Sequence, residues 1–149
     1  MRKYILIKRD GRDNSTIEAV GETYASIVDA ADAAGDDLIA THGLPWQRAS
    51  KYSTALLAEG VGAIASTPDS SLNYRILEAD FTSDRKPILP GLRVLNNDWD
   101  EGTVDPAQFM DGESGYPGGE HFDNWYYVRL DGEDRPRKRF NGERMRSIR

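Results

Sequence analysis

The chain opens on a β-prone stretch from Lys3 to Lys8, in which Tyr4, Ile5, Leu6 and Ile7 are consecutive apolar residues. Asp10-Gly11 and Asp13-Asn14-Ser15 supply turn chemistry, so Thr16 to Val20 is expected to return as the second strand of a hairpin. The period then changes. Tyr24, Ile27, Val28, Ala31, Leu38 and Ile39 recur at near-helical spacing, with Thr23 as the expected N-cap, His42-Gly43 as the stop and Pro45 just beyond. Gly35 weakens the middle of that helix by about 1 kcal/mol relative to alanine. A second helix is predicted from Pro45, with Trp46, Ala49, Tyr52, Leu56 and Leu57 as its apolar positions and Gly60 as its end. Pro68-Asp69-Ser70 reads as a turn. Leu72, Tyr74 and Ile76 then alternate along a third strand reaching Phe81. The expected order is ββααβ, a short sheet with helices on one face.

The texture changes after residue 82. Ser83, Asp84, Lys86, Pro87 and Pro90 interrupt any regular element, so residues 83–90 are expected to be a linker between an α+β unit at 1–82 and a β unit at 91–149. In the second unit Leu92-Arg93-Val94 and Gly102-Thr103-Val104 read as short strands on either side of an Asn96-Asn97-Asp98 turn. Asp111 to Glu120 holds four glycines and a proline and reads as a loop. Trp125 to Leu130 has the strongest strand character in the chain. Asp131-Gly132 is a turn, Arg137 to Phe140 a strand, Asn141-Gly142 a hairpin signal, and Met145 to Ile148 a last short strand.

Four strings in this half carry a resemblance: Gly91-Leu92-Arg93-Val94-Leu95, Gly102-Thr103-Val104, Trp125 through Gly132, and Lys138 through Met145. Together they resemble a small five-stranded barrel of the Src-homology-3, Tudor or KOW type. The resemblance covers residues 90–149 only. It implies an α+β protein whose second unit is an antiparallel Src-homology-3-like β-barrel. The stretch from Asp105 to Asn124 departs from that pattern as an insertion between the second and third strands. KOW-type barrels often contact nucleic acid, so the resemblance also admits a nucleic-acid role.

Composition narrows the classes. There are fourteen aromatic residues and no cysteine. That excludes a disulfide framework, a thiolate metal site and a cysteine nucleophile, and fits a reducing, cytoplasmic setting. No window approaches the roughly 18 apolar residues of a membrane span, so no membrane association is expected. The net charge of −6 is unevenly spread: residues 98–134 hold eleven acidic residues and one basic, a net of −10, whereas residues 135–149 hold seven basic and one acidic, a net of +6. Internal balance between the two segments is the plain explanation; a basic edge for an anionic partner is the functional one.

No constellation spells out an enzyme. Asp98, Asp100 and Glu101 lie close together, but the calcium-loop template requires glycine where Glu101 stands and glutamate where Ala107 stands, leaving a turn with solvated acids. His121 beside Glu120 and Asp123 has the composition of a general base, which makes a small hydrolase an alternative. Ser114, however, lacks the second glycine of a nucleophile elbow. No cofactor or metal is expected. Eight of the fourteen aromatics lie after residue 86. On a strand Trp125 and Tyr127 share one face while Tyr126, Val128 and Leu130 share the other, and a barrel interior needs only one.

The leading expectation is therefore a non-enzymatic protein-interaction module. Its contact surface would comprise Asp98, Trp99, Asp100, Tyr116, Glu120, His121, Phe122, Trp125 and Tyr127, an aromatic-acidic cleft suited to a cation or a basic peptide. Accessory proteins of phages and mobile elements, some of which block host complexes as anti-CRISPR proteins do, are an analogy motivated by the −10 segment. The alternative is a nucleic-acid-binding module using Arg135, Arg137, Lys138, Arg139 and Arg144, with Arg146 and Arg149 also in the basic tail.

Overall fold

The computed structural model describes residues 2–11, 16–68, 71–110, 124–133 and 138–148, with 138–140 described as backbone. The chain divides into two compact units, Met1–Glu78 and Ala79–Arg149. The class is mixed α+β.

In the first unit β1 (Tyr4–Asp10) and β2 (Thr16–Ala19) form the expected antiparallel hairpin, followed by α1 (Ile27–Ala40) and α2 (Trp46–Glu59). Two strands close the unit where the pattern predicted one: β3 (Ile64–Ser66) precedes β4 (Leu72–Glu78). The four strands lie in the order β2-β1-β4-β3, with Leu6 opposite Ile76 and Ala65 opposite Tyr74. β3 escaped the sequence because three residues are too few to show a period. One parity of the sheet, Leu6, Leu72, Tyr74 and Ile76, packs with Ala30, Ala31, Ala34 and Leu38 of α1 and with Ala49 and Leu56 of α2.

The N-cap of α1 is Ser26, not Thr23: its Oγ accepts from the Asp29 amide at 3.1 Å. Thr23 is displaced because Tyr24 is still extended and exchanges backbone hydrogen bonds with Tyr4 at 2.8 and 2.9 Å. The buried stripe of α1 is rich in alanine. It turns the helix so that Val28 and Ile39, expected on the apolar face, are exposed; in α2 Trp46 and Leu57 are exposed likewise. Gly60 ends α2 in left-handed backbone at φ 85°, as its sequence position implies.

The second unit begins earlier than expected. Residues 83–90 are not a linker: Phe81 bridges Pro87, the Thr82 amide donates to Lys86 O at 2.9 Å, and Ile88 is fully buried. There follow β5 (Arg93–Asn96), β6 (Glu101–Val104), a 3-10 turn at Pro106–Phe109, β7 (Trp125–Leu130), β8 (Lys138–Asn141), a second 3-10 turn at Gly142–Arg144 and β9 (Met145–Ser147). They make one antiparallel sheet in the order β8-β7-β6-β5-β9. β5 to β8 are a meander, and β9 returns beside β5.

Asn141-Gly142 therefore does not form a hairpin between β8 and β9. Asn141 Oδ1 instead accepts from the Glu143 amide at 2.9 Å and caps the 3-10 turn that carries the chain across to β5. Gly142 fits closely there: a Cβ would lie 2.8 Å from Ile88 Cδ1, so a larger residue makes the Ile88 and Asn124 side chains shift. For the same reason the sheet is not a closed barrel: its outer strands β8 and β9 have no pairing with each other among the described residues. Buried Val94, Val104, Phe109, Tyr126, Val128 and Met145 supply its apolar interior, with Phe109 and Tyr126 stacked at 5.8 Å between centroids. No helix among the described residues is long and apolar enough to cross a membrane.

Candidate binding groove

The turn after β5 is built by one side chain. Asn96 Oδ1 accepts from the amides of Asp98 and Asp100, at 2.9 and 3.0 Å, and the Trp99 amide donates to Asn96 O at 3.2 Å. The outcome is that Trp99 occupies left-handed backbone at φ 64°, a conformation a bulky L-residue adopts at a cost of about 1–3 kcal/mol. The residue is 75% exposed.

The return of β9 beside β5 then places Arg146 opposite Leu95 and Met145 opposite Asn96. Arg146 Cζ lies 5.7 Å from the Trp99 ring centroid, a cation–π distance. Arg144, at the end of the preceding 3-10 turn, joins them. These three side chains, with Ser83, Leu95, Asn96 and Asn97, line a groove of about 240 Å3. Its lining combines an indole, two guanidinium groups, two amides, a hydroxyl and a leucine, and among the described residues no carboxylate lines it.

The far side of the groove is fixed by the loop before β5. Ser83 donates from its amide and its hydroxyl to Met145 O, at 2.8 and 2.9 Å. Asp84 accepts from the amide and hydroxyl of Ser147, and from Thr82 Oγ1 at 2.6 Å. Burial pushes the Asp84 carboxyl up, but the Ser147 and Thr82 hydroxyls and the Ser147 amide outweigh it and hold the group at about 2.

Two groups expected to serve different partners thus meet. Trp99, assigned to an aromatic-acidic cleft, and Arg144, assigned to a basic edge, line one groove. Asp98 is exposed and Asp100 half-buried on the same turn, yet neither lines it. Trp125 and Tyr127 lie elsewhere, on the outward parity of β7. Trp125 is exposed and Tyr127 half-buried, while Tyr126 and Val128 point inward. The Tyr127 backbone is latched by buried Gln108, whose Oε1 accepts from its amide at 2.9 Å and whose Nε2 donates to its carbonyl at 2.8 Å. Tyr126 donates to Asp80 Oδ2 at 2.7 Å; burial, and then the Asp80 charge, push its phenol well up. Tyr116, Glu120, His121, Phe122, Arg135 and Arg137 lie outside the described residues. Lys138 and Arg139 are described as β8 backbone, in register with Val128 and Tyr127.

Sequence reasoning missed Ser83, Asn96 and Asn97 as groove residues. The signal lay in topology: a fifth strand laid against the first brings residues 145–146 to the turn at 96–99. It also missed a polar cluster in the first unit. Buried Lys8 shares the helix-facing parity of β1 with Leu6, and its Nζ lies 3.0 Å from Asp37 Oδ2 and 3.3 Å from His42 Nε2. Tyr74 and Thr41 also donate to Asp37, at 2.7 and 3.0 Å. Burial works against the Asp37 charge, but the Tyr74 hydroxyl and Lys8 outweigh it and lower the carboxyl. Each charge in the cluster is answered by another, with Glu18 Oε1 also 3.7 Å from Lys8 Nζ, so it reads as structural. A cavity of about 640 Å3 lies nearby between α2 and the β3–β4 connection, walled by Leu44, Tyr52, Ala55 and Leu72 with Arg48 and Lys51 on its lining. Among the described residues no three His, Asp or Glu side chains converge as a metal site. No family model, curated protein or solved structure matches the chain.

Proposed function

We propose that the second unit is a non-enzymatic binding module of the Src-homology-3-like type that takes single-stranded nucleic acid in the groove between the 96–100 turn and β9. The observation that carries this reading is the exposed, backbone-strained indole of Trp99 with Arg146 over its ring and Arg144 beside it. A base stacks on an aromatic face whatever its identity, which contributes about 1–3 kcal/mol, and guanidinium groups hold the neighbouring phosphate. The asparagine amides offer hydrogen bonds to base edges. Arg144 and Arg146 are the members of the basic segment 135–149 that line the groove, while the net charge of −6 keeps non-specific binding weak.

The test is a titration of a fluorescein-labelled oligothymidylate at low and rising salt. Trp99→Ala is expected to weaken binding at least about tenfold through lost stacking. Arg144→Ala with Arg146→Ala is expected to flatten the log–log salt slope by about 0.7 for each charge removed. Absence of binding at low salt overturns the reading.

A second reading keeps the protein-interaction role and rests on the outward parity of β7, where Trp125 is exposed beside half-buried Tyr127. Aromatics of this kind are frequent interface anchors. An accessory protein that blocks a host complex is the form this role would take. Trp125→Ala separates the two readings: it leaves oligothymidylate binding unchanged under the first and removes partner binding under the second.

A further inference from the structure

Among the described residues, six large apolar side chains of the first unit face the solvent: Val61 and Ile64 beyond α2, and four on the two helices. Val28 of α1 is 50% exposed and Trp46 of α2 is 66% exposed, with Ile39 and Leu57 also exposed. The helical four are not scattered. Steps of four, three and four residues carry α1 through Val28, Asp32, Gly35 and Ile39, and the same steps carry α2 through Trp46, Ser50, Ser53 and Leu57. Each set is therefore one stripe of its helix.

The two stripes border a common groove. Gly35 sits against α2, where a Cβ would lie 3.3 Å from Ser53 Cβ and 3.5 Å from Ala49 O. Ser53 Oγ donates to Ala31 O at 2.6 Å. Residue 31 thus pairs with 53 and residue 35 with 49, so the helices run antiparallel and close together. Ile39 and Trp46 consequently stand at one end of the hairpin, and Val28 and Leu57 at the other. The two ends are separated by three helical turns, about 16 Å. The groove, of about 390 Å3, is lined by Ile39 and Trp46, by small and hydroxylated residues and by Asp32 and Asp36, and Val28 and Leu57 continue the two stripes past it. No basic residue lines it; Arg48 and Lys51 lie on the other side of α2, at the cavity described above.

We infer that this groove docks a basic amphipathic helix of a partner protein. Such a helix sets two apolar anchors three turns apart on the Ile39–Trp46 and Val28–Leu57 ends, and its intervening Lys or Arg residues meet Asp32 and Asp36. Trp46 is the expected anchor of highest energy. A second copy of this chain fits poorly. A two-fold contact sets the same patch against itself and brings Asp32 and Asp36 towards their own copies. The inference concerns the first unit and does not rest on the nucleic-acid groove of the second.

The experiment uses the full chain, labelled with nitrogen-15, and a fluorescein-labelled synthetic Leu/Lys amphipathic helical peptide of about five turns. A peptide of the same composition in scrambled order is the control for bulk charge attraction. The expected result is saturable binding of the amphipathic peptide, with amide shifts confined to the outward stripes of α1 and α2. D32K/D36K and W46A are each expected to weaken it at least about tenfold, whereas E22K/E59K, which makes the same charge change elsewhere, changes it less than twofold. D32N/D36N supplies a milder variant should the double reversal disturb α1. Equal binding of the scrambled peptide, unchanged affinity in both acidic-site variants, shifts located elsewhere or no saturation each overturns the proposal. So does a dimer that W46E dissociates, which would make a second copy the occupant.

Discussion

Trp99 is held at φ 64° by the Asn96 side chain and its neighbouring backbone hydrogen bonds. Glycine at that position relieves the strain, while the exposed cation–π contact that it removes is worth only about 0.5–1 kcal/mol. Trp99→Gly is therefore expected to unfold at slightly higher denaturant concentration than the wild-type chain, by about 0.5 kcal/mol or more, while losing oligothymidylate affinity. A variant that gains stability and loses binding identifies the residue as functional. A variant that loses both makes Trp99 an ordinary packing residue. The candidate site was partly legible at this scale. Trp99 and Arg144 were each identifiable by type, but their meeting depends on contacts such as Trp99 with Arg146 and Asn96 with Met145, far apart in sequence, which composition does not encode.

At the scale of elements, β9 is only three residues long and depends on its clamp to the 82–84 turn. The Asp84 carboxyl is central to that clamp, at about 2 in the fold against about 3.9 in an unfolded chain. Its folded value is depressed, so its contribution is complete above about pH 4 and is lost as the pH falls towards 2. Asp84 is largely exposed, and solvent screening leaves about 1 kcal/mol of that contribution. Asp84→Asn is expected to lower thermal stability at pH 7 by that amount, with the difference from wild type shrinking between pH 4 and pH 2. A constant difference across that range would show that the charge is irrelevant to the clamp. Long elements were legible in advance because their periods are long. The α1 and α2 spans and the 125–130 strand follow from pattern alone. The three-residue strand β3 and the cap at Ser26 did not, because each is decided by a partner outside its own residues: β4 for β3 and Tyr4 for the start of α1.

For the molecule as a whole, the sequence indicated two units of different texture, and the structure divides at Glu78. The expected linker was misread because prolines and charged residues suit a tightly bonded loop as well as a flexible one. Each unit carries its own candidate surface: a positive aromatic groove in the second, an acidic apolar one in the first.

The buried Lys8–Asp37 pair bears on how the first unit finds its alignment. Removing the cation leaves the half-buried Asp37 carboxylate on the Tyr74 and Thr41 hydroxyls alone: Lys8→Met is expected to cost about 1–3 kcal/mol, whereas Lys8→Met with Asp37→Leu recovers part of it, measured by urea unfolding. Equal losses in the single and double variants would refute this. Because side chains alternate along a strand, a slip of β1 by one residue would swing the Lys8 ammonium to the opposite face and present Ile7 or Arg9 to the Asp37 carboxylate and the Tyr74 hydroxyl. An apolar ladder alone tolerates that error cheaply, since Ile5, Leu6 and Ile7 are interchangeable in kind. A single lysine thus helps the hairpin proofread itself: a slip one way sets uncharged Ile7 against the helix's anion, and a slip the other way replaces a compact ammonium by the longer, forked guanidinium of Arg9.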